Sequence, residues 1–185
     1  MAVTPSNMIA LGTKAYDFSL WNPKEQKNNS LHEIKGDKGT LIIFMCNHCP
    51  FVVHIIEKLV AIYEEYNDKG VQFIAINAND VENYPEDSPE NMLQFAKKWN
   101  LKFPYLFDES QDIAKAYQAA CTPDFYLFDK ELELVYRGRM DGSTPGNNIP
   151  NTGEDLIRAI ENLLANKAPL DDQKHSLGCN IKWKE

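Results

Sequence analysis

The chain predicts an α/β fold built on a mixed β-sheet with helices on both faces. Three features carry that reading. Thr40 to Met45 is a short, continuously apolar, Ile-rich run, the pattern of a central strand buried on both faces. Phe51 to Tyr66 follows with apolar residues at helical spacing: Val52, Ile55, Ile56, Leu59, Ile62, Tyr63 and Tyr66 share one face. Val71 to Ala78 is a second apolar run. Strand, helix, strand in that order implies a right-handed parallel crossover. At 185 residues one domain, 1–185, is the expected organisation. Residues 169–185 read as a C-terminal tail.

The remaining elements follow in order. Residues 17–35 read as a strand pair around a polar turn, with Phe18, Leu20, Leu31 and Ile34 as the apolar positions and Asn22-Pro23 and Asn28-Asn29 marking the turn. Gly70 stops the long helix. Asn79 to Asp87 is a polar loop. Ser88-Pro89 opens the next helix, with Ser as cap and Pro in the first turn, and it runs to about Asn100. A short strand near Tyr105–Phe107 and a helix from about Ser110 to Ala119 come next. Asp124–Phe128 and Leu132–Arg139 form an antiparallel hairpin. Asp141 to Asn151 is a Gly/Pro/Asn loop. Thr152, with Asp155 three residues on, is expected to cap a last helix that ends before Pro169.

Composition excludes several functions. Lys and Arg total 19 against 27 Asp and Glu, a formal charge of −8. An acidic chain lacks the phosphate-neutralising term behind most affinity for nucleic acid, so no nucleic-acid partner is expected. Four cysteines are too few for a disulfide-stapled secreted mini-protein. The longest apolar run, Leu41 to Cys46, is far short of the roughly 20 residues of a membrane helix, so no membrane partner is expected. No basic residue precedes Lys14 and no apolar segment follows, which points to a cytoplasmic protein without a secretory signal.

The chemistry concentrates in Met45-Cys46-Asn47-His48-Cys49-Pro50-Phe51, at the junction of the buried strand and the long helix. A thiol attacks only as its thiolate. Unpaired N–H groups and the dipole at a helix N-terminus stabilise that anion. Two intervening residues keep the sulfurs within one turn, so a mixed disulfide on one can be resolved by the other. Cys46 is expected to be the exposed, attacking sulfur and Cys49, further into the helix, the resolving one. His48 beside them favours the thiolate and makes the disulfide more oxidising. A zinc half-site is the competing use of such a pair. It needs a second close Cys or His pair, and Cys121 and Cys179 stand alone in sequence, so no metal is expected.

The strand–CxxC–helix order, with Thr122-Pro123 opening a later strand, resembles the thioredoxin fold. The segments Cys46–Val52 (CNHCPFV), Cys121–Asp129 (CTPDFYLFD), Tyr136–Gly142 (YRGRMDG) and Gly178–Trp183 (GCNIKW) are similar to those of redoxins in the peroxiredoxin-like (alkyl hydroperoxide reductase/thiol-specific antioxidant) superfamily. The resemblance covers roughly Gly12 to Trp183. It implies a thioredoxin-like three-layer α/β/α sandwich with a mixed sheet, an N-terminal β-hairpin and a helical insertion around residues 80–120. It also implies a cis peptide before Pro123, lying against the CxxC, so that Thr122 and Pro123, with His48, are expected to bind substrate. Two departures stand out. The Pro-x-x-x-Thr-x-x-Cys pattern of a peroxidatic cysteine fits neither register: Ile42 and Cys46 precede Cys49 at those positions, and Gly39 and Ile43 precede Cys46. The Cys-Gly-Pro-Cys pair of thioredoxin is absent as well.

The expected function is therefore a thiol-disulfide oxidoreductase using Cys46 and Cys49, without a cofactor. Its expected substrate is a protein or small-molecule disulfide or oxidised thiol, and its expected reductant a thioredoxin or glutathione system. A thiol peroxidase using Cys46, or a metal-binding carrier of the same fold, is the alternative. The resemblance puts Cys121 close to the CxxC, as an accessory redox thiol or a metal ligand, and the plainer expectation is a small buried hydrophobe. Cys179 either folds back to resolve or regulate Cys46, or is a spare thiol in a tail packed through Ile181 and Trp183. His54 falls on the polar face of its helix. His175 and Cys179, four apart, make a metal half-site only if the tail is helical. Arg137 and Arg139 read as surface charge, with Arg137 able to steer an anion.

Overall fold

The computed structural model describes residues 3–185. Met1 and Ala2, where the N-terminal reading began, lie outside them. The strands are β1 (Val3–Pro5), β2 (Ser19–Asn22), β3 (Lys27–Ser30), β4 (Gly39–Phe44), β5 (Val71–Asn77), β6 (Tyr105–Phe107), β7 (Cys121–Thr122), β8 (Asp124–Asp129), β9 (Leu134–Gly138) and β10 (Leu177–Asn180). The α-helices are α1 (Leu31–Ile34), α2 (Pro50–Tyr66), α3 (Pro89–Lys98), α4 (Asp112–Ala116) and α5 (Glu154–Leu164).

A seven-stranded mixed sheet runs β3-β2-β6-β5-β4-β8-β9. Strand β4 lies at its heart, parallel to β5 and antiparallel to β8, and all six of its residues are buried. Its alternate side chains feed two cores. Leu41 and Ile43 face a core shared with α2, α3 and α5, whereas Ile42 and Phe44 face one closed by α1 and α4. This is the three-layer α/β/α arrangement. Each such Leu or Ile contributes about 1.5–3 kcal/mol by leaving water. Among the described residues no helix is long and apolar enough to cross a membrane.

Several local expectations are corrected. Leu31–Ile34 is a helical turn rather than the end of a strand. The Ser30 N–H donates to Glu33 Oε2 at 2.9 Å, a reciprocal cap that turns the chain out of β3. The fourth helix is only Asp112–Ala116, shorter than Ser110–Ala119. Helix α5 is capped by Gly153 in the left-handed region, not by Thr152. Asp155 instead takes Arg139 Nε at 2.6 Å. The tail is not a loose end: β10 lies between β1 and β7 in a second, three-stranded sheet. Arg137 is no free surface charge either. Its guanidinium donates to the Ile9 carbonyl and to Gln173 Oε1, both at 2.7 Å, and so holds the start of the tail.

Candidate dithiol site

The site forms where β4 ends and α2 begins. Cys49 is the N-cap of α2 and Pro50 its first residue. The N–H groups of the first turn and the positive end of the helix dipole therefore lie at Cys49. Cys46 sits three residues earlier, before the helix. This corrects the sequence expectation in two respects. Cys46 is not exposed: it and Cys49 are 1% and 0% accessible. The helix terminus that stabilises a thiolate belongs to Cys49, because Pro50, which fits the first helical turn, sets the start of α2 after the second cysteine.

The peptide before Pro123 is cis. Thr122 touches both sulfurs. Its hydroxyl lies 3.4 Å from Cys46 Sγ, and its carbonyl accepts from the Cys49 thiol at 3.2 Å. A hydroxyl thus reaches the dithiol from β7, although no threonine precedes either cysteine at peroxidatic spacing.

The tail brings a third sulfur. Strand β10 pairs with β7 so that Cys179 lies opposite Thr122. The thiols of Cys179 and Cys46 both point to the Cys49 sulfur, and together with the Val52 N–H they hold its pKa well below the usual thiol range, against the effect of burial. Cys46 and Cys179, as the donors, are pushed up, and burial adds to both. One negative charge is thereby favoured on Cys49. Cys179 itself is buried. The tail is extended here, so the four-residue spacing to the exposed His175 is not a helical one. Cys121 is fully buried, its thiol pushed up by burial, and its Sγ faces the Pro123 carbonyl at 3.7 Å.

Pairing with β10 also occupies the edge of β7, beside Thr122 and Pro123, where substrate was expected to bind. In this state that edge is used by the protein's own tail.

His48 sits beside the Cys46 sulfur and faces Asp87. Its Nδ1 lies 2.6 Å from Asp87 Oδ2, an ion pair when the imidazole is protonated. The Asp87 carboxylate raises the His48 pKa, and burial opposes it. Tyr84 stacks on the imidazole with ring centroids 6.0 Å apart. Asp87 is fully buried and clamps the loop between the cysteines. It accepts the Asn47 N–H at 2.8 Å and the Asn79 side-chain amide at 2.8 Å. Tyr105 donates to Asn47 Oδ1 at 2.9 Å.

Asp87, Asn79 and Tyr105 were not singled out from the sequence. The available signal was a run of Asn and Asp at the C-terminal end of the second central strand, the end where open α/β sheets assemble their sites. His54 lies elsewhere. It is half-buried, with Nε2 3.0 Å from Ser143 Oγ, rather than free on a polar face.

The profile of the AhpC/TSA family matches residues 11–137, more than half of the chain. This chain belongs to the AhpC/TSA family. Within that family it is similar to the thiol-disulfide oxidoreductase ResA of Halalkalibacterium halodurans, with 30% identity over 130 residues, 70% of this chain and 68% of that protein. Its structure is similar to that of a conserved protein from Geobacillus kaustophilus, with a TM-score of 0.97 and 51% identity over 100% of this chain and 97% of the other. The thioredoxin domain of a thiol-disulfide oxidoreductase from Bacteroides vulgatus shares the fold, with a TM-score of 0.63 and 17% identity over 83% of this chain and 99% of that one. The fold of this AhpC/TSA member is thus thioredoxin-like.

Proposed function

We propose that this enzyme exchanges thiols and disulfides through Cys46 and Cys49, with Cys49 as the attacking sulfur. The enzyme is a thiol-disulfide oxidoreductase, in keeping with its ResA relatives, and its substrates are disulfides. The observation that carries the assignment of roles is the position of Cys49. It caps α2 and is surrounded by two thiol donors.

The Cys49 thiolate attacks one sulfur of R–S–S–R′. A Cys49–S–S–R bond forms, and R′–S⁻ leaves. Cys46 then gives up its proton to a departing thiolate and attacks the Cys49 sulfur. That step releases R–S⁻ and leaves a Cys46–Cys49 disulfide. A dithiol reductant or two monothiols return two electrons. A thioredoxin or glutathione system is part of the proposal, as is a cytoplasmic setting, which subcellular fractionation tests.

The test is disulfide reduction by single variants with mass mapping of adducts. Cys49→Ser is expected to lose exchange by at least about a hundredfold, in line with the loss of an essential nucleophile. Cys46→Ser is expected to accumulate the substrate as a mixed disulfide on Cys49. An adduct on Cys46 in the Cys49→Ser protein, with turnover kept, would reverse the two roles.

A further inference from the structure

Beside the dithiol, three donors of different chemistry converge. Cys46 Sγ, a ring nitrogen of His48 and a carboxylate oxygen of Asp87 all lie within 4.8 Å of one another. Cys46 and Asp87 are buried, and His48 is mostly covered. His48 Nδ1 and Asp87 Oδ2 face each other at 2.6 Å as a buried pair. A bound cation would take the place of the proton between them, and the two donors would have to part slightly to reach tetrahedral spacing. Asp87 is also held in place from behind by Asn79 and by the Asn47 N–H. Such outer partners orient ligands at metal sites. Lys182, whose charge acts on His48, has its Nζ donating to the Asn180 carbonyl and side chain, each at 2.9 Å.

One thiolate, one imidazole and one carboxylate are the donor set of a borderline ion in tetrahedral coordination, with a fourth position left for water or for Cys49. We propose that the reduced protein binds one divalent zinc-like ion through Cys46, His48 and Asp87, and that oxidation of the dithiol expels it. The binding stands on the donor geometry alone; the expulsion rests on the dithiol chemistry proposed above. As a ligand, Cys46 must be a thiolate. In a disulfide the same sulfur has neither the charge nor the free position. The step is balanced as the metal-bound Cys46 thiolate and the Cys49 thiolate reacting with R–S–S–R. The products are the Cys46–Cys49 disulfide, two R–S⁻ and the free ion, with two electrons passing from the dithiol to the substrate.

The full-length protein, reduced, stripped with a chelator and desalted without oxygen, is titrated with Zn(II) against a chromophoric chelator and, separately, with Co(II). One equivalent should bind, and the Co(II) complex should show thiolate charge transfer and tetrahedral d–d bands. Cys46→Ser and His48→Ala should each weaken binding by more than the about 10- to 100-fold that losing an outer partner costs. Asn79→Ala should weaken it within that range, and it leaves all three ligands in place. Cys121→Ser should bind as the wild type does. Adding oxidised glutathione to the zinc-loaded protein should release one ion per disulfide formed. Three results would overturn the site: no saturable binding, binding that survives His48→Ala, or binding that needs Cys49 and Cys46 alone. Zinc retained after full oxidation would overturn the expulsion. Disulfide reduction by the chelator-treated protein, measured alongside, separates a failed metal site from a failed assignment of the dithiol.

Discussion

Asp124 illustrates how much one side chain's surroundings decide. It follows cis Pro123, has no solvent exposure, and accepts a hydrogen bond from Tyr126 at 2.9 Å. Burial pushes its carboxyl up to about 8, overcoming the Tyr126 hydroxyl and the N–H groups of Ala120 and Phe125. In the unfolded chain it ionises near the ordinary value of 3.8. Between those values the folded state holds a proton that the unfolded state has lost. Stability therefore falls as pH rises across this window and levels off above it. Asn, neutral throughout, removes that dependence. The stability gap between Asp124→Asn and the wild type should grow in favour of the variant by up to about 1.4 kcal/mol per pH unit from about pH 4 to 8. Denaturant unfolding at a series of pH values measures it, and a flat difference would refute the neutral, buried carboxyl.

At the scale of elements, the pairing of β10 with β7 lays Cys179 against the dithiol. It depends on Gly178. A Cβ there would meet the Thr122 carbonyl oxygen at 2.0 Å and Pro123 N at 3.1 Å, both backbone atoms that cannot step aside. Gly178→Ala should therefore lift β10 from β7. A loss of about 1–3 kcal/mol is expected, as for overpacked cores. The variant should also withdraw Cys179 from Cys49, which raises the Cys49 pKa toward the ordinary thiol range. The pH dependence of alkylation, read by mass mapping of residue 49, reports that change. An unshifted profile in a destabilised protein would mean that Cys179 does not tune Cys49. Helix α2 offers the opposite lesson. Its cap and first turn are local, so Pro50 and the apolar spacing of Val52 to Tyr66 describe it without reference to the rest of the chain.

For the whole molecule, chain ends far apart in sequence are joined over the site. The Ser6 N–H donates to the Ser176 carbonyl at 2.9 Å, the Ser176 N–H returns to Ser6 Oγ at 2.8 Å, and the Ser176 hydroxyl donates to the Pro123 carbonyl at 2.6 Å. Ile181, 1% exposed, fixes the tail in the second core. Ile181→Ala should cost about 2–5 kcal/mol, as for other buried large-to-small changes. A chain ended after Asp172 should keep the central sheet in circular dichroism and react faster with a bulky thiol reagent at Cys49. Equal reactivity would show that β10 is not the cover.

The sequence by itself determined the central strand, the parallel crossover, the long helix and the pairing of Cys46 with Cys49 in one short loop. These depend on periodicity, caps and spacing, which are properties of neighbouring residues. The resemblance carried the cis peptide and the nearness of the Thr122 segment. Only the tertiary structure decided which cysteine holds the helix terminus, that both are covered, that Asp87 clamps the loop, and that Cys179 reaches Cys49. Each of those facts depends on segments separated by tens of residues. Local pattern is silent there, because a strand such as Leu177–Asn180 carries no mark of its partner. Its hydrogen bonds are satisfied equally well by any free edge, and side-chain fit over the whole core chooses among them.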